Sequence, residues 1–365
     1  MRAVQCRINL RPVFLRVMGA SASTDPRAAA PVLPLSQAAE AALLNVVPPS
    51  AGLRVSDVDI PFGVDGRASI HTLELPTEGA QAPPLVLLPG YGTGAALFNQ
   101  LLRSFSDRPA MRSRRILATD PLGTGLSSRP SWTADRDVDK AEEWFVSSLE
   151  SWREKQGIDE MDLLGHSLGG YLAVCYAEQY PNRVRKLVLA SPVGVPPEPE
   201  GWKEKMASRA WYLRWALSLW ERGWTPHGFI RSGPWGHYFL SQYVTRRFPD
   251  NDHIDKPAML AYLYSTWTEG ADSGEYAMPA ILKPGAWAKR PLCERLGALK
   301  VPSVDFIYGQ TDWMDHRHAE KVAQAGLGPR MSVKLVQNAG HQLFVDNPGG
   351  TAEAIEEAVT AKSCL

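Results

Sequence analysis

Ser167 lies at the centre of residues 165–169, which read Gly-His-Ser-Leu-Gly and directly follow an apolar segment. Residues 161–164 are typical of a buried strand and residues 168–180 of a helix, so Ser167 is predicted on a sharp strand-to-helix bend. The two glycines of the motif have no Cβ atom to collide at such a bend. The pattern predicts a serine nucleophile that attacks an acyl carbon. A Gly/Ser turn without catalytic function is the alternative for these five residues alone.

A serine nucleophile needs a base, and the base needs an acid that orients it. Where the serine sits on such a bend, the chain order is serine, acid, histidine. Asp312 follows a predicted strand at 303–308, and His341 follows the next predicted strand at 333–336, in a glycine-containing loop. We therefore predict Asp312 as the acid and His341 as the base.

Other side chains compete for these roles. Asp315 is the alternative acid, and His316 and His318 are the alternative bases, although both histidines fall in the first turn of a predicted helix. His166 is adjacent to the serine but should point away from it on a bend of this kind. Taken singly, Asp312 would more often be a helix cap and His341 a surface histidine. Their shared position at the carboxyl ends of strands, in the expected order, favours the catalytic reading.

An oxyanion formed on the substrate needs two hydrogen-bond donors. We predict the backbone N–H groups of Leu168, at a helix N-terminus, and of Tyr91, in the Gly-rich loop 89–94. The Tyr91 side chain is expected to be incidental. A phosphate-binding loop is the alternative, but residues 89–94 lack the Lys-Ser/Thr ending of a P-loop and the full dinucleotide-binding spacing.

Strand and helix patterns alternate along most of the chain, which predicts the α/β class with a mostly parallel sheet covered by helices on both faces. Two antiparallel strands are expected first, at 53–61 and 69–75. The predicted buried strands are 85–88, 115–119, 161–164, 186–190, 303–308 and 333–336, and the predicted helices are 36–46, 95–106, 137–156, 168–180, 316–325 and 350–361.

One long interval interrupts this alternation. Residues 196–290 contain no predicted buried strand, yet they hold eight of the 12 tryptophans and six of the 11 tyrosines. We predict an inserted helical cap here, and an α/β core formed by residues 50–195 and 291–365. The cap aromatics either pack a small core of their own or line an apolar cleft and contact a membrane surface. The two interpretations are compatible.

The bulk composition excludes some partners. Lys plus Arg and Asp plus Glu both number 39, so the overall charge gives no indication of nucleic-acid binding. The four cysteines lack the paired spacing of a metal site, and the predicted chemistry requires no metal or other cofactor. No run reaches the length of a membrane-spanning helix, so any lipid contact is expected to be peripheral. The sequence does not indicate an oligomeric state.

The N-terminal segment has a different composition from the rest. Four arginines alternate with apolar residues in the first seventeen positions, and the first acidic residue is Asp25. This composition is typical of a mitochondrial transit peptide. We predict residues 1–35 as a transit peptide followed by a flexible link, with a disordered basic tail as the alternative.

These residues resemble the α/β-hydrolase superfamily over roughly 75–365. Residues 120–130, 165–170, 180–184 and 191–194 resemble a lipid-metabolising subfamily that includes the lipase coactivator of lipid droplets. Residues 273–276, 283–286 and 308–315 resemble most its branch of fungal cardiolipin-specific deacylases. That resemblance implies an inserted cap, a phospholipid substrate, cardiolipin in particular, and a mitochondrial location.

Two further positions bear on activity. His341 and Asp346 match a His-x4-Asp pattern that the subfamily shares with lysophospholipid acyltransferases, although Asp346 is also placed to cap the final helix. The coactivator proteins that the chain resembles carry Asn at the position of Ser167 and lack hydrolase activity. Because this chain keeps the serine, we expect an active serine acyl hydrolase. Acyl transfer to a lysophospholipid, and a non-catalytic lipid-surface regulator of another lipase, are the alternatives. A small-molecule esterase or aminopeptidase of the same fold is a further one.

Overall fold

The computed structural model describes residues 34–361, except for residues 64–65, 78, 81, 133–135, 210, 249–253 and 270–273. The predicted transit peptide and most of the predicted link therefore lie outside the described residues.

An eight-stranded sheet forms the centre of the molecule, in the order β1-β2-β4-β3-β5-β6-β9-β10. Strands β1 and β2 are antiparallel to each other, β2 is antiparallel to β4, and all other neighbours are parallel. This confirms the predicted α/β-hydrolase fold with its antiparallel start. The strands are β1 Arg54–Ile60, β2 Ala68–Leu75, β3 Leu85–Leu88, β4 Ile116–Thr119, β5 Met161–His166, β6 Val184–Ala190, β9 Ser303–Gly309 and β10 Arg330–Val336.

Helices cover both faces of the sheet, which is why its central strands are continuous apolar runs. Alternate residues of β3 show the two layers: Val86 and Leu88 belong to one hydrophobic core, Leu85 and Leu87 to the other. The first core includes α4 (Val138–Lys155) and α5 (Leu168–Gln179), and the second includes α2 (Asn99–Ser106) and α14 (Pro348–Thr360). The remaining helices outside the cap are α1 Leu35–Leu44, α3 Pro109–Arg112, α12 Arg317–Gln324 and α13 Leu343–Asp346.

The cap interval between β6 and β9 is mainly helical. Its helices α8, α10 and α11 approach the hydrolase core next to the loop that follows β3, as described below. Residues 282–288 also hold a short antiparallel hairpin that the sequence did not predict. The cap elements are α6 Trp202–Arg209, α7 Trp211–Glu221, α8 Pro226–Arg231, α9 Gly236–Arg247, α10 Lys256–Thr268, α11 Gly274–Ile281, β7 Leu282–Lys283 and β8 Trp287–Ala288.

Helix α1 is part of the folded core, although the sequence placed the start of the domain near residue 50. Its Leu43 is buried in the same core as α2 and α14. Its Glu40 is also buried, and the Glu40 Oε1 lies 3.0 Å from the Nε2 of His71 on β2. The other ring nitrogen of His71 lies 2.7 Å from the Asp57 carboxylate on β1. This ion pair joins two elements that are distant in the chain, so local patterning could not predict it.

His71 should make the stability of the protein depend on pH. Burial disfavours the charged ring, but the carboxylates of Glu40, Asp120 and Asp57 outweigh it and raise the pKa of His71 from 6.5 to about 9. Because the pKa is raised in the folded state, the charged ring stabilises the fold fully below about pH 6.5, and this stabilisation is lost as the pH rises through about 9. The shift in pKa corresponds to about 3 kcal/mol in the free energy of unfolding. We expect urea unfolding to show this decline between those pH values.

Glu40→Gln is expected to shrink the decline in the free energy of unfolding, because it removes the buried partner. Asp57→Asn is the matched control and should have the smaller effect, since the Asp57 side chain is 57% exposed. Equal pH profiles for the wild type and Glu40→Gln would contradict a charged His71.

Candidate active site

Ser167 occupies a strained bend between β5 and α5. Its backbone φ of 54° and ψ of −116° are unusual for a residue with a side chain. A Cβ atom on Gly165 would lie 2.1 Å from the carbonyl oxygen of Gly169, and one on Gly169 would lie 2.4 Å from the carbonyl oxygen of Leu88. Both motif glycines are therefore required by close backbone contacts, as the sequence predicted.

Ser167, His341 and Asp312 form a continuous hydrogen-bonded chain. The Ser167 hydroxyl lies 3.1 Å from His341 Nε2, and His341 Nδ1 lies 3.1 Å from Asp312 Oδ1. Both distances are within the reach of a nucleophile and base, and of a base and its orienting acid. The carboxyl ends of β5 and β9 and the loop after β10 bring the three side chains together, although 174 positions separate Ser167 from His341.

Asp312 is held in its charged form. Its side chain is only 1% exposed. Burial opposes ionisation, but the hydrogen bond and charge of His341 and the hydrogen bond from the Met314 N–H outweigh burial, and the pKa of Asp312 lies below its ordinary value. A carboxylate in this position can hold the imidazole in one tautomer and stabilise its positive charge.

The alternative acid and bases have other partners. The Asp315 carboxylate forms an ion pair with Arg317 at 2.7 Å, and His316 pairs with Glu320 at 2.9 Å, both at the N-terminal end of α12. The backbone N–H of His318 donates to the Asp315 carbonyl oxygen in the same turn. The structure therefore brings Asp312, rather than Asp315, to His341.

His166 does not face the serine hydroxyl. It is fully buried, and its Nε2–H donates to the backbone carbonyl oxygen of His341 at 2.8 Å. Burial, followed by the charge of His341, lowers the pKa of His166 to about 3, so the ring is neutral. His166 thus supports the backbone that carries His341, and it has no geometry for a base.

Asp346 also supports the loop of His341, in a way that the sequence did not predict. Its carboxylate accepts a hydrogen bond from the Gly340 N–H at 2.8 Å. The final helix is capped by the neighbouring Asn347, which accepts from the Gly350 N–H at 3.0 Å. The expectation that Asp346 caps this helix is wrong, because its side chain turns back toward the loop. In the His-x4-Asp pattern, Asp346 therefore fixes the residue before His341.

The Gly-rich loop after β3 lies directly against the serine. A Cβ atom on Gly90 would lie 2.9 Å from the Ser167 Cβ and 2.9 Å from His166 Nδ1, so only glycine fits. Leu168 is the first residue of α5, where backbone N–H groups lack partners within the helix. Tyr91 and Leu168 thus flank the serine, and their role as oxyanion donors stays a prediction.

The Tyr91 side chain is not incidental, contrary to expectation. Its ring stacks on the His227 ring of the cap, with a centroid distance of 4.6 Å and an interplanar angle of 11°. His227 and its neighbour Trp267 were not distinguished from the other cap aromatics, because their importance depends on a contact with a loop far away in the chain.

An apolar cavity of about 570 Å³ extends from this loop into the cap. Tyr91 and Gln342, the residue after His341, connect it to the site. Its other walls are mostly aliphatic and aromatic side chains of the cap, among them Trp220, Trp224, Phe229, Phe239, Tyr243, Phe248 and Trp267. A larger depression of about 1130 Å³ is lined by side chains from residues 48–116, and none of its lining residues belongs to the site.

Some cap aromatics pack a core and others line the apolar cleft, whereas their contact with a membrane surface stays a prediction. Phe248 is buried, whereas Trp224, Phe239 and Tyr243, which line the same cavity, are nearly half exposed. Trp313 is a further exposed aromatic residue near the site. Its ring centroid lies 5.1 Å from that of His341, and the residue is 61% exposed. The site is therefore bordered by exposed aromatic surface.

Across residues 34–361 as described, no group of three or more His, Cys, Asp or Glu side chains is arranged to hold a metal ion. No helix in the described ranges has both the length and the apolar character needed to cross a bilayer.

Known proteins similar to this chain include one named as an acyltransferase and one named as a lipase. It is 35% identical over 300 residues to the probable 1-acylglycerol-3-phosphate O-acyltransferase of Oryza sativa subsp. japonica, covering 79% of this chain and 70% of that protein. It is also 35% identical over 295 residues to the (lyso)-N-acylphosphatidylethanolamine lipase of Homo sapiens, covering 79% of this chain and 82% of that protein.

The fold also matches solved structures of low sequence identity. Carboxylesterase CesB from Bacillus subtilis superposes with a TM-score of 0.62 at 17% identity, over 90% of this chain and 98% of that one. Residues 83–348 match the family model described as alpha/beta hydrolase fold. This match spans Ser167, Asp312 and His341, and the chain belongs to the alpha/beta hydrolase fold family.

Proposed function

We propose that this protein is a serine acyl hydrolase that removes a fatty acid from a phospholipid. The observation that carries the proposal is the Ser167–His341–Asp312 chain, next to an apolar cavity that Tyr91 and Gln342 help to line. The relatives named as a lipase and as an acyltransferase support a lipid substrate. Cardiolipin is the substrate and the mitochondrion the compartment that we propose, on the resemblance of the cap segments and the composition of residues 1–35.

The mechanism follows from the order of the hydrogen bonds. Ser167 Oγ attacks the ester carbonyl carbon while its proton passes to His341 Nε2. The carbonyl oxygen becomes an oxyanion, which the N–H groups of Tyr91 and Leu168 stabilise. His341 then protonates the departing lysolipid oxygen as the C–O bond breaks and the acyl-enzyme remains. A water molecule, deprotonated by His341, releases the fatty acid and restores the serine.

The cavity supports a long acyl chain as the group that is bound. Its volume of about 570 Å³ falls within the range of small-molecule sites, and its walls are predominantly apolar. Burial of each methylene group contributes about 0.8 kcal/mol, so a cavity of this kind favours long chains over short ones. The half-exposed rings at Trp224, Phe239 and Tyr243 support peripheral contact with a lipid surface, where amphipathic rings are favoured.

Purified protein incubated with cardiolipin vesicles is expected to release free fatty acid and a lysocardiolipin. Vesicles of phosphatidylethanolamine, phosphatidylcholine and N-acylphosphatidylethanolamine, assayed in parallel by mass spectrometry, measure the head-group preference. Release from none of these lipids would contradict the proposed hydrolase. A preference for another head group, or absence of the protein from mitochondrial fractions on immunoblots, would contradict cardiolipin or the compartment and leave the hydrolase standing.

Acyl transfer is the second candidate, because of the rice relative's name and the His-x4-Asp pattern. In that reaction the hydroxyl of a lysophospholipid replaces water in the attack on the acyl-enzyme. Adding acyl-CoA and lysophosphatidic acid to the same assay distinguishes the two. Faster formation of diacyl product than of free fatty acid would favour the transferase. A protein that fails to react with a fluorophosphonate probe would instead favour the non-catalytic regulator.

A further inference from the structure

The loop that carries Tyr91 is held by two different parts of the protein. At its end, the Ala95 N–H donates to the buried Asp120 carboxylate at 2.6 Å, which fixes the loop to the hydrolase core. Within it, the Thr93 hydroxyl donates to the Gly90 carbonyl oxygen at 2.8 Å. The Tyr91 ring and the Gly92 carbonyl oxygen also contact the cap, so the middle of the loop depends on a separate layer of structure as well.

An aromatic stack of Tyr91, His227 and Trp267 joins the loop to the cap. The Tyr91 ring stacks on the His227 ring, and the other face of the His227 ring stacks on the Trp267 ring. The centroids of the His227 and Trp267 rings are 4.1 Å apart, and the angle between the ring planes is 25°. His227 belongs to α8 and Trp267 to α10. The pKa of His227 lies well below its ordinary value because of burial and the neighbouring charges of Arg231 and Arg129, so a neutral ring sits between the two aromatic rings.

Trp267 also forms a direct hydrogen bond with the loop. Its Nε1–H donates to the Gly92 carbonyl oxygen at 2.7 Å. Gly92 has a φ of +68°, and a Cβ atom there would lie 2.9 Å from Trp267 Cζ2 and 3.0 Å from His227 Nε2. The cap rings are therefore in contact with the backbone itself, one residue beyond the Tyr91 N–H.

A charged cluster holds the cap side of the stack in place. Arg231 pairs with the buried Glu275 at 2.7 Å, and its guanidinium also donates to the Trp267 carbonyl oxygen at 2.8 Å. The Thr225 hydroxyl donates to Glu275 as well. Helices α8, α10 and α11 are thus tied together directly behind the stack, which makes it a fixed support.

We propose that Trp267 is a positioning residue for the reaction, which holds the Tyr91 N–H in place through Gly92 and the aromatic stack. The proposal rests on the proposed function, in which that N–H stabilises the oxyanion. Because stabilisation by a preorganised donor depends on its position, a loosened loop slows attack by Ser167 even when substrate still binds. The packing of the cap against the loop thereby controls the rate at which Ser167 attacks the substrate.

Trp267 also lines the apolar cavity, so its contribution to acyl-chain binding must be separated from positioning. A fluorophosphonate probe with a short alkyl group, and p-nitrophenyl acetate, avoid most of the cavity. In the probe reaction, Ser167 Oγ displaces fluoride from phosphorus and its proton passes to His341, so the rate reports on the nucleophile and the loop. Neither reaction requires a phospholipid.

Trp267→Phe is expected to lower kcat for p-nitrophenyl acetate and the labelling rate by about 10-fold, with KM little changed, because the ring remains and the N–H donor is lost. Trp267→Leu removes the stack as well and should be slower still. Trp235→Phe is the matched control: the same change on the cap, at a ring 46% exposed and outside the cavity lining, should leave both rates unchanged.

Thermal unfolding of each variant identifies any loss of folded protein. If Trp267→Phe is folded and reacts as fast as the wild type, or if only KM for long-chain esters rises, Trp267 does not position the loop. If the wild type itself fails to react with the probe, the proposed function fails. The two failures are therefore distinguishable.

Discussion

Ser167→Ala is expected to abolish phospholipid deacylation, with kcat reduced on the order of 10⁶-fold. The reason is chemical: Ala retains the backbone of the bend but has no oxygen to form the acyl-enzyme. The Ser167 hydroxyl is the group that His341 Nε2 contacts at 3.1 Å, so its removal leaves the base without the nucleophile that it activates. The measurement is fatty-acid release from phospholipid vesicles, together with fluorophosphonate labelling followed by peptide mass spectrometry.

Two further measurements make this result specific. Ser208→Ala, at an exposed serine of α6, is the control and should retain both activity and labelling. The melting temperature of Ser167→Ala should stay close to that of the wild type, because the side chain donates no hydrogen bond that holds the fold. Deacylation that survives in Ser167→Ala, or a label on a different serine, would contradict the assignment of the nucleophile.

The sheet could be predicted from the sequence because its strands leave strong local patterns. The sequence-based boundaries of β3, β4 and β9 differ from the structure by at most one residue at either end. These strands are buried on both faces and read as short apolar runs between turns. Strand β10 was predicted three residues too short, since its first half alternates between exposed and partly buried positions.

The grouping of Ser167, Asp312 and His341 could also be predicted, since each follows a strand in an order that few other architectures share, and their catalytic roles stay predictions. Their supporting contacts could not. Asp346 bonds the Gly340 N–H, and Trp267 bonds the Gly92 carbonyl oxygen 175 positions away. Such contacts depend on how loops and the cap pack after the sheet has formed, and no local periodicity encodes them. The ion pair between Glu40 of α1 and His71 belongs to the same class, although the helix itself was predicted.

Asp312→Ala is expected to lower kcat by about 10⁴-fold, since it removes both the orientation of His341 and the charge that stabilises the imidazolium. Asp312→Asn should be less severe in this protein. Asp312 Oδ1 accepts from His341 Nδ1–H and also from the Met314 N–H at 2.9 Å. The Met314 N–H would hold the amide oxygen of Asn in the same place, so the imidazole tautomer would be retained.

What Asp312→Asn loses is the negative charge, which attracts a nearby imidazolium by about 4 kcal/mol or less at the effective dielectric of a protein site. We therefore expect a fall of about 10²- to 10³-fold in kcat, between the wild type and Asp312→Ala. Asp315→Asn is the matched control, because that carboxylate pairs with Arg317 and should be dispensable. If Asp315→Asn lowers kcat as much as Asp312→Asn does, the acid would have to be reassigned. If Asp312→Asn and Asp312→Ala lower kcat equally, the Met314 N–H does not hold the amide oxygen in place.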